Sequence, residues 1–462
     1  MNTTPARRRT VLAAAAVAAA GAASVTPAIA GGTGRRPDGP VARQHAGEAP
    51  EFVSLHSWTS YDDWRSGDAE GTRADHGPRP AVVFDTPRGT TDYRDPHTKK
   101  TATWEYATWT SPRHRLDHPA TEIILSWNAD TPAGTWLRAE VRAAYTDGGE
   151  TPWYTMGVWT AGDGKDVPRR TSVDGQKDGK SSVSTDTLAV DDADGPRFAG
   201  YRVRLTLLRA PDSDARPKVW RLNAMASDVP ERFGVPASKP GLDRAVECRA
   251  PSFSQDIHKG QYPQYDGGGE AWCSPTSSAM IIKYWGRGPT PKDMAWINPD
   301  YKDPEVCQAA RFTYDYQYEG CGNWPFNAAY AATYRGLESV VTRLRSVNDV
   351  ERLTAAGIPV ITSVSFIESE LDGAGYGTAG HLMAIVGFTE DGDVIAHDPA
   401  SKDDDAVRHV YKRRQWENIW LRTKRKDDKG KVQSASGGVC YVYFPVNPAP
   451  TQHRVLKRLG IL

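Results

Sequence analysis

Between Glu51 and Ser227 apolar and polar residues alternate with a period of two. Leu137, Ala139, Val141 and Ala143 interleave with Arg138, Glu140 and Arg142, and Tyr201, Val203, Leu205 and Leu207 interleave with Arg202, Arg204 and Thr206. Such alternation marks strands with one buried face. Ile123 to Trp127, Trp153 to Trp159 and Val219 to Ala226 read as further strands, separated by turns rich in Gly, Asp and Pro. The pattern predicts an all-β sandwich, jelly-roll-like, over residues 51–227. Residues 228–247, with Pro230, Pro236, Pro240 and Gly241, read as a linker.

Past the linker the period becomes helical. Ala279, Met280, Ile282, Tyr284 and Trp285 continue a helix that starts near Pro275 and stops at Gly286 and Gly288. Further helices are predicted over Pro325 to Tyr334 and Asp349 to Ala356, ended by Gly336 and Gly357. Strands follow over Pro359 to Phe366, His381 to Phe388 and Val394 to His397, the last two joined as a hairpin by the turn Glu390 to Asp393. Helices first and an antiparallel sheet later predict an α+β domain over residues 248–446, with 447–462 as a C-terminal extension. The loops from Asn298 to Gly322 and from Glu368 to Ala379 are expected to line its cleft.

The first thirty residues carry a different pattern. Arg7, Arg8 and Arg9 lead into an Ala-rich apolar run to Val25, and Ala28-Ile29-Ala30 before Gly31 is a small-residue cleavage site. Residues 1–30 read as a twin-arginine-type signal peptide and 31–50 as a flexible leader, so the expected location is secreted and extracellular. The apolar run is shorter than the ~20 residues of a spanning helix. Lys plus Arg and Asp plus Glu both total 57, a net charge of zero that gives no electrostatic reason for nucleic acid or a membrane surface as partner. The basic run Thr423 to Lys426, followed by Asp427 and Asp428, reads as a solvated loop.

Chemistry concentrates at Cys273. A glycine run, Gly267 to Gly269, delivers it to a predicted helix N-terminus, where the dipole favours a thiolate. Pro275 suits a first turn, and Ser274, Thr276 and Ser277 are expected to satisfy unpaired N–H groups there. His381 opens a strand whose hairpin partner ends at Asp398, so the two side chains are expected to be neighbours; His397 is the less favoured imidazole. A thiol, an imidazole and a carboxylate in this relation form the generalised triad of nucleophilic catalysis. The site requires no cofactor and no metal. With Cys273 free, Cys248, Cys307, Cys321 and Cys440 allow two disulfides in three connectivities, of which Cys307–Cys321 with Cys248–Cys440 is preferred. Nine of the fifteen tryptophans fall in the β domain. A core role is preferred for them over a polysaccharide-stacking surface.

Several segments carry a resemblance. Trp272 to Met280, Tyr284-Trp285-Gly286, Gly380-His381-Leu382, Asp398-Pro399, Ser254-Gln255, Asn323 to Asn327 and Ala356 to Val360 resemble the papain-like peptidases of family thirty-nine. This is the bacteriocin-leader-processing group, and the secreted actinobacterial relatives are the more similar. Ser274 stands where the leader peptidases have Gly. The resemblance implies a papain-like second domain in which Cys273 is the nucleophile, His381 the general base and then acid, and Asp398 its orienting partner. It implies that Gln255 donates to the oxyanion beside the Cys273 N–H; Gln261 and Gln264 lie nearer in sequence and are alternatives. The expected activity is a secreted cysteine peptidase acting on peptide or protein through a thioester. Two alternatives are an acyltransferase or amidase using the same site, and a carbohydrate- or cell-wall-binding protein with an inactive papain-like domain.

Overall fold

A computed structural model describes residues 51–192 and 194–462. The signal peptide and the flexible leader lie outside the described residues. Residues 52–228 form two seven-stranded sheets, every strand pair antiparallel. Glu122–Asp130 and Lys218–Asp228 are central in one sheet, and Thr135–Tyr145 and Phe198–Arg209 in the other.

The period-two pattern explains the core. Leu137, Ala139, Val141, Ala143, Val203, Leu205 and Leu207 are all fully buried. The interleaved charged residues are not simply solvated. Glu140 is buried and accepts two 2.8 Å hydrogen bonds from Arg204, its cross-strand partner, while the Arg142 and Arg204 guanidinium groups stack on Trp153. Eight of the nine tryptophans of this domain are buried and the ninth, Trp153, lies under those arginines. The core reading of these residues therefore stands, and no exposed aromatic platform for sugar is formed among the described residues.

A third antiparallel sheet organises the second domain, in the order Leu337–Arg343, Val439–Pro445, Val360–Phe366, Thr378–Phe388, Val394–His397 and Arg408–Tyr411. Both faces are covered, which is why the run from His381 reads as continuously apolar. Leu382, Ala384 and Val386 face the core built by helices Cys273–Tyr284, Pro304–Thr313 and Trp324–Ala332. Met383 and Ile385 face the opposite core, with Val350, Trp416 and Leu456 from helices Val347–Ala355, Arg413–Leu421 and Pro450–Arg458.

Three features depart from the sequence reading. Pro304–Thr313 is helical inside the stretch expected as a loop. The C-terminal residues are not an appendage, because Leu456 and Ile461 are buried in the second core. All five cysteines are free thiols, so neither preferred disulfide forms. The Cys307 sulfur lies 3.6 Å from His258 Nδ1 whereas Cys321 reaches the Ala310 carbonyl at 3.5 Å. Cys248 Sγ reaches the Thr354 carbonyl at 3.7 Å, and Cys440 is buried in the second core.

The two domains are welded together. Phe326 packs on Trp127 and Trp159, with ring centroids 6.2 and 5.3 Å away. Asn128 exchanges hydrogen bonds with the Ser339 backbone and hydroxyl, and the buried Arg221 pairs with Glu338 at 2.6 Å. The linker is fastened too: Arg232 donates to the Leu421 carbonyl, and the Ser238 and Gly241 N–H groups bind Glu417 and Glu351.

Candidate active site

The helix Cys273–Tyr284 begins at the cysteine itself, with Trp272 in the cap position and no side-chain cap. This corrects the expectation that serine and threonine hydroxyls would satisfy the first turn. Ser274 Oγ instead bonds Tyr441 Oη at 3.0 Å, and Ser277 Oγ donates to the Leu382 carbonyl at 3.0 Å. The Ser277 bond ties the first turn to the residue after His381, which sets the cysteine and histidine in register. The turn's own N–H groups stay available to an incoming acceptor.

The glycine run before the cysteine has a steric basis. Gly267 and Gly268 adopt φ of 79° and 114°, open to glycine at little cost. A Cβ on Gly269 would sit 2.2 Å from the Gln255 carbonyl oxygen. This close approach brings Gln255 under the turn Gly269–Ala271, where its Nε2 donates to the Glu270 carbonyl at 3.0 Å. Its backbone N–H binds the Pro399 carbonyl at 2.8 Å, so Gln255 bridges the turn before Cys273 and the turn after Asp398. The second Nε2 hydrogen has no partner among the described residues. Gln261 is occupied by His258 and the Ile257 carbonyl, and Gln264 is exposed.

His381 and Asp398 are buried neighbours, with Nε2 2.9 Å from Oδ1. Their closeness follows from the hairpin, in which Ala384 pairs with His397 and Asp398 comes next. Asp398 is held by four donors: His381, the Ala400 N–H at 3.0 Å, Tyr376 at 2.9 Å and Tyr411 at 3.0 Å. The two tyrosines carry no motif in the sequence. Only the fold brings them to this carboxylate. Burial alone would raise the Asp398 pKa, but the His381 charge and these hydrogen bonds hold it below the ordinary carboxylate value.

The imidazole shows the reverse balance. Burial pulls its pKa down, yet the negative charges of Cys273 and Asp398, with hydrogen bonds to both, outweigh this and push it up to about 10. With Nε2 on Asp398, Nδ1 is left for the thiol. His397 is turned away, its Nδ1 3.1 Å from the Pro251 carbonyl and its pKa lowered mainly by burial. The chemistry available is thiol nucleophilicity with an adjacent proton carrier.

A cavity of about 230 Å³ opens beside this group, reaching Ala379 and Gly380 next to His381. Tyr318 and Gly322 line it as the loop reading expected. Its opposite wall was not legible from sequence: the β domain's hairpin of Ser181–Ser184 and Thr187–Val190 forms it. Asp186, at the hairpin tip, accepts the Trp324 N–H at 2.9 Å, and burial pushes its pKa up to about 7.

Residues 54–227 match the Peptidase C39 N-terminal domain, and residues 251–428 match the Peptidase C39-like family. Among solved structures the chain is similar to a C39-like peptidase candidate from Bacillus anthracis, at 17% identity over 44% of this chain and 98% of that one, with a TM-score of 0.27. It is also similar to the Glycosylation Associate Protein (Gap123) complex from Streptococcus agalactiae, at 14% identity over 41% of this chain and 49% of that one, with a TM-score of 0.19. No curated protein matches the chain.

Proposed function

With both of its domains matched to Peptidase C39 groups, the chain belongs to the C39-like peptidase family, and we propose that it is a cysteine peptidase working through Cys273, His381 and Asp398. The observation that carries this reading is the buried His381–Asp398 pair set against a cysteine at a helix N-terminus. The second domain is papain-like in its layout of a nucleophile helix packed on an antiparallel sheet that supplies the histidine.

His381 takes up the proton that the Cys273 thiol gives up. The sulfur attacks the scissile carbonyl carbon, and the oxyanion takes hydrogen bonds from the Cys273 N–H and the free Gln255 Nε2 hydrogen. Collapse breaks the C–N bond as His381 donates its proton to the departing amine, leaving a thioester. Neutral His381 then accepts a proton from water, whose oxygen displaces the sulfur and releases the acid. Asp398 stays ionised throughout and orients the ring.

The signal-type sequence around Arg7 to Leu12 supports export of the folded protein, with peptide or protein as substrate outside the cell. Among the described residues no helix is long and apolar enough to cross a membrane. The test of activity is a mixed peptide library incubated with the protein and analysed for new termini. Cleavage that disappears in Cys273→Ala supports the reading, and cleavage that persists refutes it. Fractionation of the producing cells tests export, with recovery only inside the cell as the contrary result.

A further inference from the structure

The basic run expected as a solvated loop is partly buried. Arg425, in the short strand Lys424–Lys426, is only 6% exposed and lines the cavity between the domains. Among the described residues no hydrogen bond or ion pair reaches its guanidinium, and its buried Nε has no partner. Asp427, Glu370 and Asp428 attract it electrostatically without a hydrogen bond to it, and Asp427 accepts instead from the Lys431 N–H and Gln433. Arg343 pairs with Glu122, and Arg422 grips Glu370 with two nitrogens. Asp186 is taken up by the Trp324 N–H and the Thr187 hydroxyl.

Burying an unpaired guanidinium opposes folding, so a donor fork left open in a cleft points to an acceptor that arrives from outside. Ser365 lines the same cavity, and its buried hydroxyl also lacks a partner. Planar N–H groups and a hydroxyl lining one cavity offer the kind of donors that the two oxygens of a carboxylate accept. The cavity runs from Gly380, beside His381, to Arg425, and the β-domain hairpin forms its facing wall.

We propose that Arg425 is a specificity-determining residue that binds a carboxylate of the peptide substrate in the interdomain cleft. The carboxylate comes either from an acidic side chain or from the substrate's C-terminus. The inference rests on the peptidase reading for the identity of the ligand as a peptide, but its binding test does not depend on turnover.

The experiment uses the full chain as Cys273→Ala and fluorescent peptides in matched pairs. One arm exchanges Glu for Gln at each position, and the other exchanges a free C-terminal acid for an amide. Anisotropy is expected to show tighter binding of one carboxylate by about ten- to a hundredfold. That preference is expected to vanish when Arg425→Gln is added and to survive in part with Arg425→Lys, which keeps the charge without the fork. The arm that responds identifies the source of the carboxylate. Equal binding within every pair overturns the proposal, as does a preference that persists in a folded Arg425→Gln variant. Should that variant fail to fold, the pairs on the unaltered cleft and the lysine variant decide. Carboxylate-dependent binding with no cleavage by the unmutated chain would sink the peptidase reading and leave this one standing; cleavage with no carboxylate preference would do the opposite.

Discussion

Replacing Asp398 by Asn separates charge from orientation. The asparagine Oδ1 can take the place of the oxygen that accepts from His381 Nε2 and the Ala400 N–H, and its NH₂ group then faces the Tyr376 and Tyr411 hydroxyls, which rotate to accept. Geometry is kept and one negative charge is removed. His381 is held from 6.5 up to about 10, which corresponds to roughly 5 kcal/mol of preference for the imidazolium at about 1.4 kcal/mol per unit. Cys273 supplies the larger attraction and Asp398 the next. Loss of a close opposite charge lowers a pKa by about 1–3 units. A raised histidine pKa means the proton is bound throughout the acid side and lost as pH climbs through the folded value. The unmutated chain should therefore hold kcat/KM up to about pH 10, while the alkaline limb of Asp398→Asn falls one to three units earlier, as roughly expected for a lost opposite charge. At pH 7 the loss stays near tenfold, on the order of one charge-assisted hydrogen bond made neutral. The assay is a pH profile of peptide cleavage, with circular dichroism to confirm folding. Superimposable alkaline limbs would refute the assignment of Asp398 as an electrostatic support of His381.

Gln255→Ala should lower kcat by about a hundred- to a thousandfold with KM little changed, because the oxyanion contact exists only in the transition state; steady-state kinetics showing a raised KM with kcat unchanged would contradict it. Iodoacetamide should label the native chain once, at Cys273, and five times after denaturation without reductant, since the other four thiols are buried and unpaired; mass spectrometry reads the count. Asp186→Asn should gain on the unmutated protein as pH rises, because a carboxyl raised from 3.8 to about 7 makes the unmutated chain lose stability between those two values; at about 1.4 kcal/mol per unit the variant's advantage grows by roughly 3 kcal/mol between pH 5 and pH 8, thermal unfolding at the two pH values compares them, and a difference that does not change with pH contradicts it. Phe326→Ala should cost about 3–5 kcal/mol and loosen both domains together, since its ring fills the seam against Trp127 and Trp159; calorimetry showing one intact transition at unchanged temperature would contradict the shared core.

What the sequence disclosed depends on locality. Period-two strands such as Thr135–Tyr145, the helix ended by Gly286 and the hairpin from His381 to Asp398 are written in short-range patterns, and the structure has each of them. Contacts between distant segments were not written there. Ser274 and Ser277 sit where caps are expected, yet Tyr441 and the Leu382 carbonyl claim their hydroxyls. Tyr376 and Tyr411 reach Asp398 only because a loop and a neighbouring strand converge on it. Arg425 sits in a charged run that looks solvated, yet it is buried and lines a cavity that the β domain's hairpin also walls. Five cysteines in a chain with an export-type signal suggested pairing, but all five are free thiols, and Cys248 turns to the Thr354 carbonyl instead.

The central claim is that a substrate acyl group passes through Cys273. Acid quenching of the protein during cleavage of a peptide, followed by mass spectrometry of the fragment carrying residues 273–283, reads this directly. The expected result is added mass equal to the N-terminal part of the cleaved peptide, released by hydroxylamine as a thioester is and absent in Cys273→Ala. Cleavage without any adduct at Cys273, or an adduct on another residue, would contradict the account.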